Sequence, residues 1–204
     1  GGLAHGSGVF TSAKGDTYEG QWERNMRHGF GRLVQADGLA YSGEWREDEK
    51  SGVGAETWPD GAWFHGAFLR CLKHGHGIYD SGKGARYEGQ FCRDCMDGEG
   101  CYTFACGRVY TGQWRAGRMS GRGKLECPQG VVYEGDFHEG ARHGKGTMTW
   151  PDGYVLSAEW CRGKRVPPVA LADPGRDEVT APAAAAAGGC AERPRAQAFA
   201  TAAA

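Results

Sequence analysis

Tyr133-Glu134-Gly135-Asp136-Phe137-His138-Glu139-Gly140-Ala141-Arg142-His143-Gly144-Lys145-Gly146-Thr147-Met148-Thr149-Trp150-Pro151-Asp152-Gly153 is the stretch from which the architecture follows. Tyr133, Gly135 and Phe137 alternate with Glu134, Asp136 and His138. A period of two sends the aromatic rings to one face of a strand and the polar groups to the other. Glu139 to His143 reads as a turn, Gly144 and Gly146 open a returning strand through Trp150, and Pro151-Asp152-Gly153 is a turn signal. Two short strands per unit predict one β-hairpin.

The unit recurs every 23 residues without insertion. Tyr18-Glu19-Gly20-Gln21-Trp22 is followed by Tyr41 to Trp45, Phe64 to Phe68, Tyr87 to Phe91, Tyr110 to Trp114 and Tyr133 to Phe137. A last, degraded copy is Leu156-Ser157-Ala158-Glu159-Trp160. A Gly-x-Gly cluster keeps the same register, from His28-Gly29-Phe30-Gly31 to His143-Gly144-Lys145-Gly146, with His5-Gly6-Ser7-Gly8 one period upstream. A turn glycine marks the same register from Gly15 to Gly153. Six full repeats starting at 18, 41, 64, 87, 110 and 133, with half a repeat at each end, make one array over residues 1–165.

These three marks resemble the MORN (membrane occupation and recognition nexus) repeat over about four fifths of the chain. The expected fold is all-β: an elongated single-sheet solenoid of stacked antiparallel hairpins. One hairpin is marginal in water, whereas stacked hairpins bury a continuous aromatic stripe and support one another. That stripe is Tyr18, Trp22, Tyr41, Trp45, Phe64, Phe68, Tyr87, Phe91, Tyr110, Trp114, Tyr133, Phe137 and Trp160. The glycine between paired aromatics weakens a strand, so its recurrence implies a steric need, expected to be room for the rings of neighbouring copies. Residues 166–204 are Ala/Pro-rich and read as a disordered tail.

Composition agrees with this reading. The chain has 204 residues, of which 36 are Gly, but no Gly-X-Y period, so collagen is excluded. Its 7 Trp, 8 Tyr and 8 Phe are too many for a linker. The net charge of −1 indicates no nucleic-acid partner. No apolar run is long enough for a membrane-spanning helix, no signal peptide opens the chain, and the first residue, Gly1, suggests a fragment or a processed product. The 8 cysteines do not recur at one repeat position and read as reduced thiols of a cytosolic protein.

Candidate chemical sites dissolve into the repeat. Gly77 to Gly84 imitates part of a phosphate-binding loop but ends without Ser or Thr and without a helix. His5, His28, His74 and His143 share one repeat position, and the group of His65, His74 and His76 makes a poor metal site. Cys92-Arg93-Asp94-Cys95 falls in a hairpin turn, with Cys106 expected at the opposite end, so four thiols do not converge on zinc. No catalytic residue, cofactor or metal is therefore assigned, and no enzyme activity is expected.

The informative feature is charge. No carboxylate stands between Glu99 and Glu126, whereas Arg108, Arg115, Arg118, Arg122 and Lys124 do. They form a candidate anionic-ligand patch, set in an array of 21 basic and 21 acidic residues. The resemblance implies a protein-binding scaffold or adaptor in a ciliary or cytoskeletal assembly, and members that dimerise. It also implies two alternatives: a peripheral module for anionic phosphoinositide lipids, or the regulatory region of a larger enzyme such as a phosphatidylinositol-phosphate kinase.

Overall fold

The computed structural model describes residues 2–167. Fifteen strands lie in chain order in one antiparallel sheet. They are β1 (Gly6–Thr11), β2 (Thr17–Glu23), β3 (Met26–Val34), β4 (Ala40–Arg46), β5 (Glu49–Thr57), β6 (Trp63–Leu69), β7 (Leu72–Asp80) and β8 (Arg86–Cys92). The series continues with β9 (Cys95–Thr103), β10 (Val109–Arg115), β11 (Arg118–Glu126), β12 (Val132–His138), β13 (Ala141–Thr149), β14 (Val155–Cys161) and β15 (Lys164–Arg165). At about 4.8 Å per strand the sheet extends roughly 70 Å across its strands. The expected single-sheet solenoid is the observed architecture.

Each repeat is a hairpin closed by a two-residue turn. Both turn residues have positive φ, as in Arg24 (51°) and Asn25 (68°) or Arg93 (49°) and Asp94 (66°). This mirror-image turn matches the twist of the strands it joins. Non-glycine residues are strained there, and the stack offsets the strain. Asn25 Oδ1 accepts the Ala4 amide at 2.6 Å, Asp48 Oδ1 that of Arg27 at 2.9 Å and Asp94 Oδ1 that of Lys73 at 2.8 Å. Each second turn residue thus binds the copy before it. Along the other edge run five-residue loops, in which a glycine such as Gly38, at φ 91°, donates back to the first loop residue.

The recurring glycines answer to a closer neighbour than expected. Gly20 and Gly31 are Cα partners. A Cβ on Gly31 would stand 2.2 Å from the Tyr18 hydroxyl, and one on Gly20 would stand 2.4 Å from the Gly31 Cα. The ring that needs the space belongs to the same copy, not to the next one. Tyr41, Phe64, Tyr87, Tyr110 and Tyr133 lie over their own glycine pairs in the same way. The next copy closes over the ring from the side: Tyr18 meets Trp22 at 5.0 Å and Trp45 at 5.4 Å, both edge to face. This alternation of same-copy and next-copy contacts buries every stripe ring from Tyr18 to Trp160 except Trp22, which is half-buried. Indole N–H groups add links backwards, as from Trp45 to the Gly31 carbonyl at 3.1 Å.

The seventh copy departs from the repeat at the positions where this steric rule applies. A Cβ at Gly20, Gly43, Gly66, Gly89, Gly112 or Gly135 would come within 2.4–2.6 Å of the partner glycine Cα on the returning strand. Ala158 carries that Cβ. Pro167 occupies the position of Gly29, where the copies need positive φ and proline is held near −65°. Among the described residues β15 pairs Arg165 with Trp160 and Lys164 with Cys161, and the Val166 amide donates to the Glu159 carbonyl at 2.8 Å. Of the expected tail, all but Val166 and Pro167 lies outside the described residues.

Three substitutions test this packing. Trp114→Ala removes a 4 %-exposed ring and should cost about 3–5 kcal/mol in a thermal or denaturant melt. Gly123→Ala should cost about 1–3 kcal/mol by overpacking against Tyr110. Tyr110→Leu in the same chain should then cost less than it does alone. Additive losses would show that the ring does not rest on the glycine.

Candidate binding faces of the sheet

The two faces differ in kind. The aromatic face carries the stripe, flanked by a row on each side. One row is Arg27, Lys50, Lys73, Met96, Met119 and Arg142, each paired in register with the second aromatic of its copy or its bulge neighbour. The cations stack on rings: Arg27 lies 4.2 Å from the Trp45 centroid, Lys73 5.3 Å from Phe64 and Arg142 4.3 Å from Trp160. At the second and third members of this row the charges are internal. Lys73 and Glu56 are buried and 3.2 Å apart, and Lys50 also binds Glu56. Toward the C-terminal half the same face turns apolar and half-buried, with Met96, Tyr102, Phe104, Met119, Leu125 and Met148 packed against the stripe.

A feature that strand alternation hides is the bulge in each full hairpin. In β2–β3 the register shifts between Gly20 and Trp22, so Gln21 faces extra residues on the returning strand. Its side-chain oxygen accepts the Phe30 amide at 2.8 Å, and its carbonyl accepts the Tyr18 hydroxyl at 3.0 Å. Glu44, Gln90, Gln113 and Asp136 repeat the clasp toward Val53, Glu99, Arg122 and Lys145. Polar character at every copy of this position but one was the available signal. The exception is the third copy, where Phe64 has no hydroxyl and Ala67 no acceptor.

The outer face holds most of the basic patch but not all of it. Arg115 and Arg118 are partners beside the Ala116-Gly117 turn, and Arg122 and Lys124 follow on β11. Arg108 sits in the loop at the opposite edge, over the Phe104 ring at 4.9 Å. The carboxylates missing from the local sequence arrive from the next hairpin: Glu139 lies 3.5 Å from Arg118, Asp136 3.5 Å from Arg122 and Glu134 4.0 Å from Lys124. Glu126 binds Lys124 at 2.8 Å and raises its pKa.

The remaining candidate groups are dispersed. Among the described residues, no three His, Cys, Asp or Glu side chains are grouped to hold a metal. Gly77 to Tyr79 lie in β7, and the Lys83 segment is a loop between strands. The seven described cysteines are free thiols. Cys92 and Cys95 face one another, and Cys106 lies at the other edge, where Arg108 donates to its Sγ at 3.2 Å and lowers its pKa. A shallow cleft of about 550 Å³ at the last turns is lined by His138, Glu139, His143, Cys161 and Arg162. No helix of the described residues is long and apolar enough to cross a membrane.

The MORN repeat pattern matches residues 1–17, 18–40, 41–63, 64–86, 87–105, 110–132 and 133–153. The chain belongs to the MORN repeat family. Seven units are matched, the first being the segment expected as a half repeat. No curated protein sequence matches this MORN chain. Among solved structures it is similar to the SAS-4 (dCPAP) TCP domain of Drosophila melanogaster, solved with a proline-rich motif of Ana2 (dSTIL). The identity is 10%, the coverage 76% of this chain and 90% of that one, and the TM-score 0.46. A mutant TCP10 domain of Danio rerio CPAP is 12% identical over the same shares, with a TM-score of 0.26.

Two measurements test the local chemistry. Ala67→Gln gives the third bulge the acceptor it lacks and should stabilise the chain by about 0.5–1.5 kcal/mol; an unchanged or lower melting temperature would count against the clasp. Burial, followed by Glu44 and Glu56 for Tyr41, raises the pKa values of Tyr41, Tyr87 and Tyr110. A phenol whose folded pKa is raised contributes stability that is complete below its unfolded value, about 10, and lost as pH climbs toward the folded value. Stability should therefore hold to about pH 10 and fall above it. The tyrosinate absorbance of these three rings, read as the amplitude lost when they are changed to Phe, should rise together with loss of the sheet, rather than before it.

Proposed function

We propose that this MORN array is a non-catalytic scaffold that binds a protein partner along the apolar half of its aromatic face. The observation that supports this reading is the half-buried band of Met96, Tyr102, Phe104, Met119, Leu125 and Met148 on a single-layered sheet. A contiguous band of part-exposed apolar side chains can serve as a contact region, and methionine adapts its shape to a partner. A ciliary or cytoskeletal assembly is the setting that the family resemblance implies.

A second reading, recognition of anionic phosphoinositide, draws on Arg115 and Arg118 standing side by side. The acidic neighbours of Arg118, Arg122 and Lys124 reduce the positive field that such a headgroup would meet.

The two readings separate on two variants. Photo-crosslinking in cells should lose its protein partner in Met96→Glu/Met119→Glu and keep it in Arg122→Glu/Lys124→Glu. The reverse pattern would move the contact to the outer face. In flotation with phosphoinositide-containing liposomes the chain should stay in solution. Flotation that Arg115→Glu/Arg118→Glu/Arg122→Glu/Lys124→Glu abolishes would make the membrane the partner instead.

A further inference from the structure

Cys92 and Cys95 end β8 and begin β9 and are direct Cα partners across the Arg93-Asp94 turn. In a two-residue hairpin turn the flanking residues exchange backbone hydrogen bonds, with Cα atoms about 5.5 Å apart. That lies within the roughly 4.4–6.8 Å that a disulfide spans. Opposed residues of a ladder project to the same face, and both thiols are exposed. No other described cysteine faces a thiol. Cys101 stands opposite Thr111 and Glu88, Cys161 opposite Lys164, Cys71 lies within a turn, and Cys106 and Cys127 lie in loops at the far edge.

We propose that Cys92 and Cys95 form a reversible dithiol–disulfide site that exchanges with low-molecular-weight disulfides. One thiolate attacks the small disulfide, forming a mixed disulfide and releasing one small thiol. The second thiolate then attacks the protein sulfur of that mixed disulfide and releases the other small thiol. The two cysteines are oxidised, the small disulfide is reduced to two thiols, and the two cysteine protons pass to the small thiols. Side chains of a hydrogen-bonded pair stand farther apart than those of a non-hydrogen-bonded one, so the bond is strained and readily reduced, as regulatory disulfides are. The turn between the thiols carries Asp94, whose carboxylate accepts the Lys73 amide and lies 3.8 Å from Lys73 Nζ. Oxidation therefore acts where the fourth hairpin grips the third.

The test is equilibration of the full chain with mixtures of reduced and oxidised glutathione, acid quenching, alkylation and peptide mass spectrometry. Cys92 and Cys95 should become linked within one peptide, while Cys106, which faces no thiol among the described residues, carries at most a glutathione adduct. Excess reduced glutathione should return both to alkylatable thiols. In C95S, a glutathione adduct should persist on Cys92. Two overturning results are clear: separate glutathione adducts on Cys92 and Cys95 in the unmodified chain, or both thiols still alkylatable where Cys106 is fully modified.

Discussion

A tyrosine ring laid flat on a pair of facing glycines sets the geometry of each copy. Where Tyr18 covers Gly20 and Gly31, the strands must approach without side chains between them. The hydroxyl then reaches the Gln21 carbonyl at the bulge. With the ring edge exposed on both sides, Trp22 and Trp45 pack against it at nearly right angles. Such edge-to-face pairs are worth about 0.5–1.5 kcal/mol each beyond burial. A single contact thereby ties the strand pair, the bulge and the next hairpin together. This explains how a one-layer sheet of fifteen strands keeps a dry centre without a second layer.

Coupling only to neighbours makes the array modular, and modular arrays need ends. In the seventh copy the departure from the repeat uses the same positions that build the middle. Ala158 adds one methyl group where six copies have none, and Pro167 fixes φ where six copies need it positive. The seventh hairpin starts in register, through Lys164 and Arg165.

The sequence made the fold legible because its signals are local and periodic. Aromatic alternation, the paired glycines and the turn glycines all lie within 23 residues of their neighbours. What it concealed depends on neighbours across the ladder. Gln21 reads as an outward polar residue, yet the bulge turns its amide onto Phe30. Arg142 reads as a turn charge and Arg27 stands at the same repeat position, yet both lie on indole rings of the following copy. The basic stretch after Glu99 reads as free of carboxylates, yet Asp136 and Glu139 come to it from the next hairpin. The glycine reads as making room for a ring of the neighbouring copy, yet the ring is that of its own copy, because Tyr18 and Gly31 are thirteen positions apart in the chain and adjacent in the sheet.

The third copy shows how a repeat departs from its own rule. Phe64 and Ala67 give up both polar contacts of the bulge, and Gly75 has only the Ala67 methyl nearby. The same copy gains Lys73, buried between the Phe64 and Trp58 rings and paired with Glu56. A buried ion pair stabilises little on net, but losing one partner costs about 3–5 kcal/mol. The exchange therefore adds geometry more than stability: Lys73 can satisfy Glu56 and Asp94 only if hairpins two, three and four keep their register. The place where the repeat's own clasp is absent is thus held from outside by charges on both neighbours, and the Cys92–Cys95 turn sits on one of them.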